Sequence, residues 1–154
     1  MTNVTIENGV KAIPFYMFQW CSSLTNITLP DSITEICQCG FISCTSLTNI
    51  NIPNSVNSIG ENAFELCSSI TKITIGNIIN SQSFKQIFQS ISSKIQTLIL
   101  SEGVSEIRYE AFSNYSSLTE IIKFLNFVDK TLHFEVNFQI FDQHPFDYYG
   151  QSLF

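Results

Sequence analysis

No stretch of this 154-residue sequence approaches the run of about 18 apolar residues that a membrane-crossing helix needs. The start shows no basic segment followed by an apolar run, so no secretory signal is visible and the cytoplasm is the default location. Basic residues are few: 7 Lys and Arg against 13 Asp and Glu leave a net charge of -6. That balance argues against a nucleic-acid backbone or an anionic membrane as partner. It fits a solvated acidic surface at least as well as a basic ligand. The only 2 histidines, His133 and His144, lie near the end, so a serine nucleophile elsewhere has no base within reach. A glycine-rich phosphate loop is missing too. The carboxylates, such as Glu61, Glu65, Glu102, Glu106 and Glu110, are scattered over turns and the outer wall. None sits in an apolar run that would raise its pKa for general-acid work. Glu106 and Glu110 with Arg108 read as a solvated face, and an enzyme is the least favoured class.

What the sequence does have is a repeat. Cys21, Cys44 and Cys67 are 23 apart, twice, and Leu24, Leu47 and Ile70 keep that step. So do Ile27, Ile50 and Ile73, and Leu29, Ile52 and Ile75. Further columns run Val10, Ile33, Val56; Ile13, Ile36, Ile59; and Phe18, Phe41, Phe64. One unit has no way to bury its apolar face alone, but stacked copies with strands about 4.8 Å apart form a continuous core. In the unit Leu47 to Cys67, Ile50 and Ile52 alternate with Asn49 and Asn51 as a half-buried strand should. Pro53 stops it, Asn54 and Ser55 turn, Val56 and Ile59 mark a second segment, and Gly60 permits a corner. Ala63, Phe64 and Cys67 fit about one turn of helix.

The copies differ. In the first, residues 7–29, Pro14, Tyr16 and Met17 replace the glycine corner, and the only tryptophan, Trp20, reads as a cover over the end of the stack. The second, residues 30–52, has Cys37 where the third has Gly60. The fourth, residues 76–100, is two residues longer and carries Phe84, Ile87, Phe88, Ile91 and Ile95 at spacings of three and four. That predicts an amphipathic helix of about three turns from Ser81 onward. It fills core volume or, less simply, offers a partner-binding bulge. The fifth, about residues 101–122, restores Val104, Ile107, Ala111, Phe112, Leu118 and Ile121, with Tyr115 in the cysteine column. We therefore expect a solenoid over residues 1–123, of about five repeats of 23–25 residues, and a phenylalanine-rich capping segment over 124–154. In the tail, residues 134–140 alternate as a strand, and an open solenoid end requires such a cover.

Cys44 through Phe64, with Leu47, Ile50, Ile52, Pro53, Ser55, Val56, Ile59, Gly60 and Ala63, resembles the BspA-type leucine-rich repeat. The resemblance spans residues 4 to about 122. It implies an α/β repeat solenoid, a right-handed superhelix with parallel strands on the concave face and short strands, turns or helices on the convex side. It also implies a protein-binding or adhesion role at the cell surface. It carries no catalytic motif and no cofactor. Ser32 and Ser55 stand where other leucine-rich repeats have asparagine, as the BspA type prefers.

Five cysteines raise the question of zinc or redox chemistry, chiefly Cys37, Cys39 and Cys44. Their spacing is wrong for a zinc site, and the histidines are remote. Cys21, Cys44 and Cys67 read as small buried hydrophobes, about 5 Å apart from coil to coil, so a stacked pair could oxidise if exported. The Asn-x-Ser/Thr sites at Asn3, Asn26 and Asn114 likewise matter only after export.

Strand side chains alternate, so residues between the inward apolar ones point outward. This aligns Thr5 with Asn26 and Thr28, then Asn49 and Asn51, then Lys72 and Thr74, with Thr97 beyond. We expect Asn26, Thr28, Asn49, Asn51, Lys72, Thr74 and Thr97 to form the partner-binding face, polar and almost uncharged. The expected partner is a protein. A homotypic contact through an uncapped N-terminal end is a further expectation, and a fragment or spacer of a larger surface or scaffold protein is the alternative reading.

Overall fold

The computed structural model describes residues 2–76, 84–101, 112, 114–127 and 130–136. Strands β1 (Asn3–Thr5), β3 (Asn26–Thr28), β5 (Asn49–Ile52), β7 (Lys72–Ile75), β8 (Thr97–Leu100) and β9 (Glu120–Phe127) line one side of a parallel solenoid. Strands β2 (Ala12–Ile13), β4 (Glu35–Ile36) and β6 (Ser58–Ile59) form a small parallel sheet on a second side. Along the main side, β1 pairs with β3, and β5, β7, β8 and β9 pair in sequence. Register follows the repeat: Asn3 opposes Asn26, Ile36 opposes Ile59, and Ile50 opposes Ile73. A strand β10 (Lys130–Val136) lies antiparallel to β9 at that end of the sheet. β9 itself runs to Phe127, across residue 124, where the capping segment was expected to begin.

The third side is a wall of turns at residues 15–20, 38–43 and 61–66, not the short helices expected around Ala63. The cause lies in the backbone. Tyr16, Trp20, Cys39, Ser43, Asn62 and Leu66 all have φ between 56° and 62°. These left-handed residues, four apart in each coil, interrupt the helix and turn alternate amides toward the next coil. Cys39, Phe41 and Ser43 N–H donate to the carbonyls of Glu61, Ala63 and Glu65 at 3.1, 2.8 and 2.8 Å. Gly60 is required by close approach: a Cβ there would stand 2.7 Å from the Gln38 Cα and 2.8 Å from the Cys37 carbonyl carbon. Ser32 staples the corner, accepting from Gly9 N–H at 2.9 Å and donating to the Val10 carbonyl at 2.8 Å. The Ser55 hydroxyl in the same column is buried with no partner among the described residues.

The core is built of columns. Phe18, Phe41, Phe64 and Phe88 stack with ring centroids 5.2, 5.3 and 5.2 Å apart. The cysteine column does more than fill space. The Cys44 and Cys67 thiols donate to the carbonyls of Phe18 and Phe41 in the preceding coil, at 3.1 and 3.0 Å. The neighbouring Cys44 sulfur and burial push the Cys67 thiol well above the ordinary range, while the interaction with Cys67 lowers Cys44. Burial raises the Tyr115 phenol.

The fourth copy corrects one expectation. Its helix is four α residues, α1 (Phe84–Ile87), followed by a 3-10 segment, Gln89–Lys94, rather than three continuous turns. Phe88 breaks the α-helix at φ -114° because it must enter the phenylalanine column, while Ile91 and Ile95 continue the columns of Cys67 and Ile70. The copy does fill core volume as expected. Trp20 is a second correction: it is 72% exposed and covers nothing, because its left-handed backbone directs the side chain away from the stack. Val10 is exposed, unlike buried Ile33 and Val56, since no described coil precedes it. Residues Val104, Ile107, Ala111 and 137–154 lie outside the described residues.

Candidate functional site

The seven residues expected to bind a partner stand on the outward side of the main strands. Asn26, Thr28, Asn49, Asn51 and Lys72 are exposed, and Thr74 and Thr97 are half-buried. Ile27, Ile50, Ile52, Ile73 and Ile75 between and beside them are buried, which fixes the alternation and hence the face. Pairing places Asn49, Lys72, Thr97 and Glu120 in one row, and Asn51, Thr74, Ile99 and Ile122 in a second. Asn3 opposite Asn26 and Thr5 opposite Thr28 extend these rows to the first coil.

The first row is hydrogen-bonded toward its two ends. The Asn26 Nδ2 donates to the Asn3 Oδ1 at 3.1 Å, and the Asn49 Nδ2 to the Asn26 Oδ1 at 3.4 Å and to the Thr48 Oγ1 at 3.2 Å. Farther along, the Thr97 hydroxyl donates to the Glu120 Oε2 at 3.2 Å. Amides stacked one coil apart can satisfy each other in only one direction along the row, which orients the asparagines without burying them. The second row changes character at its far end, where half-buried Ile99 and Ile122 replace threonine and asparagine. Asn3, Glu120, Ile99 and Ile122 were not among the expected site residues. The signal for Ile99 was available, since it sits between inward Leu98 and Leu100 and two residues after Thr97, which the alternation already placed on this face.

The face carries Lys72 and Glu120 as its charged groups among the described residues. Hydrogen bonding and shape, rather than charge, are what it offers. Among the described residues no group of three or more His, Cys, Asp or Glu side chains comes together to hold a metal ion. No helix there is long and apolar enough to cross a membrane. Glu102, Glu106, Arg108 and Glu110 lie outside the described residues.

Comparison with known proteins follows from this geometry. A family model described as a BspA type leucine rich repeat region, in six copies, matches residues 1–119 and 81–131. No curated protein matches. Among solved structures, a leucine-rich repeat protein from Eubacterium ventriosum is 20% identical with a TM-score of 0.58, over 79% of this chain and 32% of its own. A leucine rich cell surface protein from Faecalibacterium prausnitzii is 25% identical with a TM-score of 0.48, over 79% and 41%. One from Bacteroides ovatus is 22% identical with a TM-score of 0.38, over 70% and 36%. The chain spans less than half the length of each. With a matching pattern over most of its residues, register that repeats from coil to coil, and parallel strands on two sides, the chain belongs to the BspA-type leucine-rich repeat family.

Proposed function

We propose that the chain is a non-catalytic binding module that presents its polar strand face, the concave side of the solenoid, to a protein partner. The observation that carries this is the pair of in-register rows through Asn26, Asn49, Lys72 and Thr97 and through Asn51 and Thr74, exposed or half-exposed on a buried isoleucine base. The face lacks tryptophan, tyrosine and arginine, which carry strong single-site interfaces. Each contact is therefore weak, and avidity across coils or copies supplies the strength. Adhesion as part of a larger surface or scaffold protein fits the same face. A homotypic contact belongs to this reading as well.

The test is a pull-down from the source cell followed by substitution. Asn49→Asp, Asn51→Asp and Thr74→Asp are expected to weaken the captured complex while leaving the melting temperature unchanged. Glu61→Lys and Glu65→Lys, on the turn wall, are expected to leave it intact. The opposite pattern moves the site off the strand face and defeats the proposal.

A further inference from the structure

Hydrogen bonds between wall segments run one way along the solenoid. Phe18 and Trp20 N–H donate to the carbonyls of Gly40 and Ile42, both at 2.9 Å, as Cys39, Phe41 and Ser43 donate to Glu61, Ala63 and Glu65. In the third coil the same columns are Asn62, Phe64 and Leu66. Their N–H groups donate to no acceptor among the described residues. The cause lies in the fourth copy, which sets a helical segment where the next wall segment would stand. Phe88 continues the column of Phe64, so the Gln89 carbonyl is the counterpart of the Glu65 carbonyl. It accepts the Ser92 hydroxyl at 3.0 Å, and the Phe88 carbonyl accepts Ile91 N–H at 3.0 Å. A helical backbone spends its carbonyls on itself. The row of donors inside the solenoid is thereby left unmet, and Phe64 is 0% exposed, so water gives its N–H little help.

A groove lies between that wall and the helical segment. Its volume is about 270 Å³, and it is lined by Asn62 and Glu65 on one side and by Gln86, Ile87, Gln89 and Ser90 on the other. That is near the small end of small-molecule sites, roughly 300–1,000 Å³. Asn62 brings one of the unmet N–H groups to it. The side chains of Asn62, Glu65, Gln86, Gln89 and Ser90 make no hydrogen bond to another described residue. Buried Ile87 supplies an apolar patch, and among the described residues Glu65 is the one charged group in the lining.

This set selects among ligand chemistries. The unmet N–H asks for an acceptor, the Glu65 carboxylate asks for a donor, and the three amides and Ser90 offer both. A metal cation would meet the carboxylate and leave the N–H unmet. An anion would meet the N–H and be repelled by Glu65. A peptide amide keeps its donor and its acceptor on separate, fixed atoms. A hydroxyl does both jobs at one oxygen, and a ring of hydroxyls with a C–H face also covers Ile87. We propose that this groove is a second binding surface, independent of the strand face, for a neutral sugar ring. Asn62, Glu65, Gln86, Gln89 and Ser90 hold its hydroxyls.

The test is a titration of the isotope-labelled full chain, followed by amide nuclear magnetic resonance. The probes are the methyl glycosides of glucose, galactose, mannose and N-acetylglucosamine, the methyl group standing for the rest of a glycan. At least one is expected to move the Asn62 backbone amide and the Gln86 and Gln89 side-chain amides saturably, with a Kd of about 1 mM. Added salt is expected to leave that value unchanged, because the ligand is uncharged. Gln86→Ala with Gln89→Ala is expected to weaken binding about tenfold, and Asn49→Asp on the strand face to leave it unchanged. Circular dichroism melts confirm that the variants fold. No movement of these amides by any of the glycosides at about 50 mM would overturn the proposal. So would equal movement by glycerol, which has hydroxyls but no ring, or unchanged affinity in the folded double variant. A blocked dialanine peptide that moves the same amides when no glycoside does would assign the groove to peptide backbone instead.

Discussion

Replacing Phe64 by alanine removes the ring from the middle of a four-ring column. Phe64 is 0% exposed and stacks on Phe41 at 5.3 Å and on Phe88 at 5.2 Å. Returning a phenylalanine side chain's apolar area to water costs about 2–3 kcal/mol. The cavity left behind adds to that, for a total of roughly 3–5 kcal/mol. Its position raises the cost further along the solenoid, because one ring serves two coil–coil interfaces and stability here is a sum over such neighbours. Phe18, with one ring neighbour and 6% exposure, is expected to lose less on the same substitution. Asn51→Ala on the strand face is expected to cost less than about 1 kcal/mol. Urea unfolding followed by circular dichroism measures all three, with the slope m checked for constancy. For a chain of this size, 4 kcal/mol corresponds to a fall in melting temperature of roughly 8–16 °C. Equal losses for Phe64→Ala and Asn51→Ala would refute the column assignment.

Three other outcomes follow from the same structure. Gly60→Ala is expected to destabilise by roughly 1–3 kcal/mol, because its Cβ meets the Gln38 backbone, and a urea midpoint equal to wild type would contradict that contact. Stability is expected to fall as pH rises above the ordinary tyrosine value of 10.0. Folding raises Tyr115, so the unfolded chain releases that proton first, whereas raised Cys67 and lowered Cys44 act in opposite directions; urea midpoints at pH 7, 9 and 10.5 test the sign. Ending the chain after Lys123 cuts β9 short and removes β10, and the product is expected to aggregate or melt earlier, whereas an equally stable monomer by light scattering would make the tail an appendage.

Much of this was legible in the sequence because a strict 23-residue step lets each column announce itself: Ile13, Ile36 and Ile59 are paired as the spacing predicts. The strand face was legible for the same reason, since alternation about Ile50 and Ile52 leaves Asn49 and Asn51 only one direction to point. The wall was not. Whether Ala63, Phe64 and Cys67 make a helix turns on φ at Asn62 and Leu66; leucine gives no sign of a left-handed backbone, and asparagine gives a weaker one than glycine. Trp20 misled for a related reason. Its column suggested a cover, but its orientation is set by that same left-handed geometry. In the fourth copy the two extra residues shifted the phase, so Phe88 was read on a helix face when it is the fourth ring of the stack. The thiol donors at Cys44 and Cys67 carry no sequence signal beyond their periodicity.

Both proposed surfaces rest on the in-register stacking of coils, and paired spin labels test it most directly. In a Cys21→Ser background, which removes the one native thiol that is not buried, nitroxides are attached at Asn49→Cys and Lys72→Cys. These positions oppose each other on β5 and β7. Neighbouring parallel strands lie about 4.8 Å apart, so the doubly labelled protein is expected to show strong spin–spin broadening that each singly labelled protein lacks. Sharp, additive spectra from the double label would contradict the register on which the strand face is built.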